Sequence, residues 1–316
     1  MLQRSTFLFV TLLACSVVCA EEEPAAAKFA GKSDAKPTYL LEHSFTKGDN
    51  VRTKVTHQVA IKTTVKGTTQ AAKTLSISTK AWRITHVDEK GNVTLIQSVE
   101  SVDMRQQIGD GAEVRYNSLT DKKTPEGFQD VAKALGRPLV RVTITPRGEI
   151  TDRVELFPQP NSQKGQLVAL LPKGRISIGH VWTLPETIPL RLKSGVTKKI
   201  KTRERYELEK VEDGIAVIEV QTQVLTPIHS PEIEVQVIQR TTKGTIHFDI
   251  AKGRVIKKVV DLNRRVVDFS GPGSLMHYMA KFSEQPQAPS ATPVANKPEK
   301  PAAEIGSKKG PPKLKR

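Results

Sequence analysis

Two-residue alternation over Arg240 to Phe269 limits this chain to a sheet. Ile246, Phe248 and Ile250 alternate with His247 and Asp249, which puts the apolar side chains on one side, as a half-buried strand requires. Ala251-Lys252-Gly253 supplies a turn whose glycine can take positive φ, and Val255 to Leu262 runs back. A shorter hairpin of the same design comes earlier: Val142 to Ile144, the turn Pro146-Arg147-Gly148, then Ile150 to Leu156.

The rest of the chain uses the same grammar. Leu40 to Phe45 reads as a short strand and Lys47-Gly48-Asp49-Asn50 as a turn. Val51, Thr53, Val55, His57, Val59, Ile61, Thr63 and Val65 then share one face, with Arg52, Lys54, Lys62 and Lys66 on the other. A helix would scatter these apolar residues around its axis, so the period of two decides for strand. Leu75 and Ile77, then Trp82 and Ile84, form a second run whose phase shifts near Lys80-Ala81, the signature of a bulge. A third strand runs from Val93 to Met104, and Asp110-Gly111 turns the chain toward Val114 and Tyr116.

Helices are expected in three places. Thr124 as cap, Pro125 at the first helical position and an apolar face of Phe128, Val131, Ala132 and Leu135 predict one over 124–136, stopped by Gly136 and Pro138. A shorter one is expected over Gln163 to Leu170, and an amphipathic one over Leu275 to Phe282.

Two stretches match in order. WRITHVDEKGNVTLIQSV (82–99) and YELEKVEDGIAVIEVQTQV (206–224) both give aromatic, apolar, acidic-glycine turn and strand. Val87 and Val211 lie 124 apart, Gly148 and Gly253 lie 105 apart, and the difference of 19 is roughly what the helix near residues 124–136 would add. We therefore expect a mainly β fold of long antiparallel sheets in two similar halves, a duplication. The first half would be residues 38–160 with the helix near 124–136, and the second 161–275. A disordered leader (21–37) would precede them, and residues 276–316 would be a short helix followed by a disordered basic Pro/Ala/Lys tail.

The N-terminal residues 1–20 read as a secretion signal: Arg4, an apolar run from Phe7 to Val18, and Val18-Cys19-Ala20 ahead of three glutamates. The run is too short to span a membrane. Cleavage after Ala20 would export the chain to the periplasm, the cell surface or the medium, with lipidation of Cys15 as the alternative. Both cysteines of the protein, Cys15 and Cys19, fall in this segment. The mature chain would then have no disulfide, thiolate metal site or cysteine nucleophile.

Chemistry is sparse. The seven histidines (His43, His57, His86, His180, His229, His247 and His277) show no HxH, HxxxH or HExxH spacing. Ser274 lies in a Gly-Pro-Gly-Ser loop without a nucleophile elbow. Glu204, Glu207, Glu209, Glu212 and Asp213 interleave with Arg203, Arg205 and Lys210, which suggests a solvated strand face or cross-strand ion pairs. We expect no enzyme, no cofactor and no metal.

Charge is the remaining lead. The chain carries 49 Lys and Arg against 33 Asp and Glu, a net +16. Lys198, Lys199 and Lys201 crowd one stretch with Arg203 and Arg205; Lys257, Lys258, Arg264 and Arg265 form another; Lys308, Lys309, Lys313, Lys315 and Arg316 end the tail. On an exported protein the matching partners are an anionic envelope polymer, lipid headgroups or an acidic protein. Aromatics are only 5% and none interleave with the lysines, so nucleic acid is not expected.

The segment Lys243 to Leu262, with GTIHFDIAKGRVIKKVVDL at its heart, resembles an uncharacterised family of planctomycete-type exported and lipoprotein β domains. Ile178-Gly179-His180-Val181-Trp182 is similar to that family's Val-x-Gly-x-x-Trp step, and Leu41 to Val51, with its Lys47-Gly48-Asp49 turn, also fits. The resemblance implies no catalytic residues. It implies curved antiparallel sheets, half-barrel or sandwich-like, in outline like bacterial lipoprotein carriers. The expected function is thus a non-catalytic binding or structural protein of the bacterial envelope, the alternative a carrier or sensor of a lipid or other apolar ligand on the curved sheet.

Overall fold

The computed structural model describes residues 36–158, 168–192 and 195–287. The signal segment, the leader as far as residue 35, Lys308 to Arg316 and most of the helix expected over 163–170 lie outside them. From Pro37 onward the described residues belong to one compact unit.

Its elements in chain order are β1 (Tyr39–Leu40), β2 (Asn50–Val65), β3 (Thr68–Val87), β4 (Val93–Ile108), β5 (Val114–Asn117), α1 (Gln129–Ala134), β6 (Val140–Ile144), β7 (Ile150–Glu155), β8 (Arg175–Ile176), β9 (Val181–Arg191), β10 (Thr197–Glu212), β11 (Ile215–Val224), α2 (Pro231–Ile238), β12 (Lys243–Asp249), β13 (Arg254–Val267) and β14 (Leu275–Pro286). The expected fold class holds: long antiparallel strands with two short helices. Twelve strands make one open sheet, ordered β7-β6-β4-β3-β2-β14-β13-β12-β11-β10-β9, with β5 beside β4. The two halves read from the sequence therefore share one sheet, joined by β14, which pairs with both β13 and β2.

The sheet is tightly rolled. Strands β6 and β12 are six places apart in its order, about 29 Å if the sheet were flat. Yet the adjacent amides of His43 and Ser44 donate to Pro146 O (2.6 Å) and Gly253 O (3.0 Å), in the turns after those two strands. Neighbouring residues are only about 3.8 Å apart. Only a curled sheet brings both turns to one segment. At the other end α2 packs against β13 and β9 at once. Within the roll, Gly244 marks a tight corner: a Cβ there would meet the Val259 carbonyl oxygen at 1.9 Å.

Cross-strand partners share a face, so the register sorts the inner side from the outer. Inside, Leu41, Leu171, Trp182, Tyr206, Leu208, Ile218 and Phe248 form one core, and Trp82, Ile84, Leu95, Val142 and Ile144 another, with Phe45 against it. Ile233, Val237 and Ile238 of α2 fill the opposite end with Ile200, Leu262, Met276 and Tyr278.

Bulges fall at matching places. The β3–β4 register shifts between Ile84 and His86, and the β10–β11 register between Leu208 and Lys210. The β6–β7 register shifts between Thr143 and Ile144, and the β12–β13 register between His247 and Phe248. A further shift between Thr79 and Lys80 lies where the sequence phase predicts one.

Three expectations need correction. Residues 276–282 are strand, not helix: Met276, Tyr278 and Ala280 alternate inward, and two neighbours satisfy the backbone of β14. The second half accordingly runs past 275. The helix expected over 124–136 is only Gln129–Ala134. Its foreseen apolar face is nonetheless used, since Phe128 is buried with Val102 and Tyr116, and Val131, Ala132 and Leu135 pack around them. Of Leu40 to Phe45, only Tyr39–Leu40 pairs as strand, with β8; the rest is a strap between the two hairpin turns.

Candidate polyanion-binding face

Strand β10 sits next to the edge of the sheet, and its alternation divides its charges cleanly. Ile200, Thr202, Tyr206 and Leu208 are buried inside. Lys199, Lys201 and Arg203 are exposed on the outer side, with Arg205 half-buried in line with them. Cross-strand partners of this row are Pro189, Thr187, Pro185 and Thr183 of β9, then Gln223 and Gln221 of β11 opposite the two arginines. All are uncharged. Among the described residues Lys199, Lys201 and Arg203 make no ion pair.

The nearby acids are placed elsewhere. Glu204 lies on the inner side, where it accepts a hydrogen bond from the Tyr206 hydroxyl. Burial, with Glu204 second, raises the carboxyl pKa of Glu186 on the same side. The same order of causes, burial before Glu204, pushes the Tyr206 phenol far above its ordinary value. Outside, Glu207 pairs with Arg205 and Glu212 with Lys210, both two residues along one strand. These are not the cross-strand pairs that the interleaving suggests.

The structure divides the sequence-predicted cations in two. Lys199 and Lys201 share the outer face with Lys257 and Arg265. Lys198, Lys258 and Arg264 belong to the inner face, because their cross-strand partners Leu190, Ile246 and Tyr278 are buried there. Lys258 stands over the Phe282 ring at 5.9 Å. On the outer side Lys257 pairs with His247. Burial first, then Lys257 and Lys210, lowers the His247 pKa. Sequence reading overlooked Arg191, which is exposed opposite Thr197 at the start of the row.

Two further histidines, His57 and His43, are shifted by burial and not by a carboxylate. Burial and then Lys80 lower the pKa of His57, whose ring lies edge-on to Phe282 at 6.2 Å. His43, in the strap, donates Nε2–H to Ala169 O at 2.8 Å, and burial depresses its pKa. Among the described residues no group of three His, Cys, Asp or Glu could hold a metal ion, and no helix is long and apolar enough to cross a membrane. Among the described residues, hollows lined by Lys54, Ser101 and Asn117 and by Thr63, Val65 and Gln70 measure about 190 and 240 Å³ and are open to solvent, below the roughly 300 Å³ at which small-molecule sites begin.

No family model matches this chain. Nor does any curated protein. Among solved structures it is similar to one described as "Lipid-protein interactions in lipovitellin", at 11% identity over 79% of this chain with a TM-score of 0.41. The chain spans only 26% of that one. Another is the crystal structure of a DUF1329 family protein from Desulfovibrio piger, at 10% identity, covering 76% of this chain and 88% of that one with a TM-score of 0.15. At these scores, function has to be read from the geometry.

Proposed function

We propose that the chain is an exported, non-catalytic binding protein of the bacterial envelope that holds a polyanion on the outer face of its sheet. The observation that carries this is the row of exposed cations on β10, unpaired at Lys199, Lys201 and Arg203 and flanked by uncharged residues. Ordinary surface cations are interspersed with acids. Here Glu186 and Glu204 face inward, and Glu207, with Glu219 across from it, stands at the Arg205 end of the row. The non-catalytic reading is supported by the lysines, not carboxylates, acting on His57 and His247.

Binding of the full chain to long-chain polyphosphate tests this. Reversing Lys199, Lys201 and Arg203 to Glu should abolish binding, while Lys198→Glu with Lys258→Glu, on the inner face, should change it little. Equal losses from both sets would sink the reading.

A carrier role is the second reading, supported by the uncovered inner side of the sheet's far end. There Ile108 is 67% and Val114 42% exposed, beside the half-buried Met104. Displacement of a fluorescent fatty-acid probe should then depend on Ile108, and no displacement would dismiss it.

We also infer that the two halves arose by duplication. Bulges at Ile84 and Leu208, 124 residues apart, and at Thr143 and His247, 104 apart, support it, because bulges are retained features of a sheet. Export implies a mature N-terminus at Glu21. Mass spectrometry of the secreted protein would show it; a lipid-modified Cys15 would contradict it.

A further inference from the structure

We infer that the outer side of β10 is a trough for a single extended, linear polyanion that lies along the strand and meets Lys199, Lys201, Arg203 and Arg205 in turn. This rests on the polyanion reading above and adds the ligand's shape and direction.

Same-face residues on a strand repeat about every 6.8 Å, so four cations cover about 20 Å in one line. The partners on both sides are uncharged, Thr187 and Pro185 on β9 and Gln223 on β11 among them, so the cations nearest one another are aligned along the strand; the next outer cation across the sheet, Lys243, stands behind Gln221. The row also ends: Glu207 pairs with Arg205 and lies directly across from Glu219. A polymer therefore has one open way along the row, toward Lys199 and Arg191.

The trough is built on fixed parts. The Lys201 N–H donates to Thr226 Oγ1 at 2.8 Å, and its carbonyl accepts from the Leu225 and Thr226 amides at 2.9 and 3.2 Å. Arg203 donates Nε–H to Gln223 Oε1 at 2.7 Å, which orients the guanidinium and leaves its two terminal nitrogens for an oxyanion. A planar fork of that kind suits phosphate or sulfate. Pro185 and Pro189 on the edge strand lack the N–H groups that an added strand would need. The contact is then made by side chains on the outer face and not by strand addition.

An anionic bilayer is the competing ligand. Membrane-facing surfaces are two-dimensional and use Trp and Tyr at the headgroup level. The outer row of β9 is Val181, Thr183, Pro185, Thr187 and Pro189, with no aromatic. The line favours a polymer.

The test uses the full-length mature chain with tripolyphosphate, polyphosphate of tens of phosphates, and vesicles with and without phosphatidylglycerol. Long polyphosphate should bind at least about tenfold tighter than tripolyphosphate, which is too short to engage all four cations. The decisive variant exchanges one pair, Lys201→Thr with Thr187→Lys. It moves a charge one strand, about 4.8 Å, off the line at constant net charge. Both positions are exposed, and an unchanged melting curve checks the fold. Long-chain affinity should fall several-fold while tripolyphosphate affinity stays level. Binding that ignores chain length and this exchange, yet is lost on reversal to Glu, would overturn the linear trough and leave the broader polyanion reading standing. No binding to any polyanion would overturn both, and tighter binding to anionic vesicles than to polymer would assign the face to a membrane.

Discussion

Gly253→Ala should destabilise the protein far more than a turn glycine ordinarily does, because the strap passes directly over it. Gly253 has φ +61, and an added Cβ would lie 2.6 Å from Ser44 N and 2.7 Å from Glu42 O. Both are backbone atoms and cannot rotate aside. An L residue at positive φ costs about 1–2 kcal/mol. Moving the strap also weakens the Ser44 N–H bond to Gly253 O, about 1 kcal/mol, and disturbs the packing of Leu41, which is fully buried. Together these give about 3–4 kcal/mol. Gly214→Ala is the control, since Gly214 has φ +75 with nothing within 4 Å, so only the backbone term applies. The excess of about 2 kcal/mol converts to a Tm drop about 4–8 °C larger than the control's for a unit of this size. Circular-dichroism melts of the two variants measure it. Equal drops would refute the strap's role in holding the rolled sheet together.

Acid should weaken the fold. His43 is kept neutral by burial, its pKa below the ordinary value of 6.5. Its contribution is complete above about pH 6.5 and is lost as pH falls toward the folded-state pKa, at up to about 1.4 kcal/mol per pH unit. Melting at pH 7.5 and 5 should show the drop, and His43→Gln should flatten the profile; a flat wild-type profile would contradict it. Trp182→Phe removes the Nε1–H donor to Leu170 O (2.9 Å) inside the core and should cost about 1–3 kcal/mol by denaturant titration. His247 is held low by burial first and then by Lys257 and Lys210, and it lies beyond the Glu207–Glu219 end of the row, so polyphosphate bound along β10 should leave its pKa unchanged in an NMR titration; a clear rise on binding would place the ligand elsewhere.

Much of the sheet was legible because alternation reports directly on burial. Ile246 and Phe248 were placed in the core by period alone, and the phase slip near Lys80 marked a true bulge. β14 was misread because Leu275, Tyr278, Met279 and Phe282 also fit a helical spacing; only pairing with β13 and β2, remote in sequence, decides for strand. The opposite ambiguity hid α2: Ile233, Val235 and Val237 alternate, yet Pro231 starts a helix that fills the roll. The cations were found but not sorted. Lys198 and Lys199 are adjacent in sequence and on opposite faces of β10, and the inner set by Ile200 and Thr202 was available to separate them. That Glu204 would turn inward to Tyr206 and leave Arg203 with Gln223 depends on the register with β9 and β11. A single strand does not carry that information.

The most direct measurement of the central claim is the salt dependence of long-chain polyphosphate binding. Neutralising three to four cations of the β10 row should give a log–log slope of about −2 to −3. Lys199→Gln with Lys201→Gln should make it shallower by about 1.4. A slope that is near zero, or that is unchanged by these two substitutions, would contradict the account.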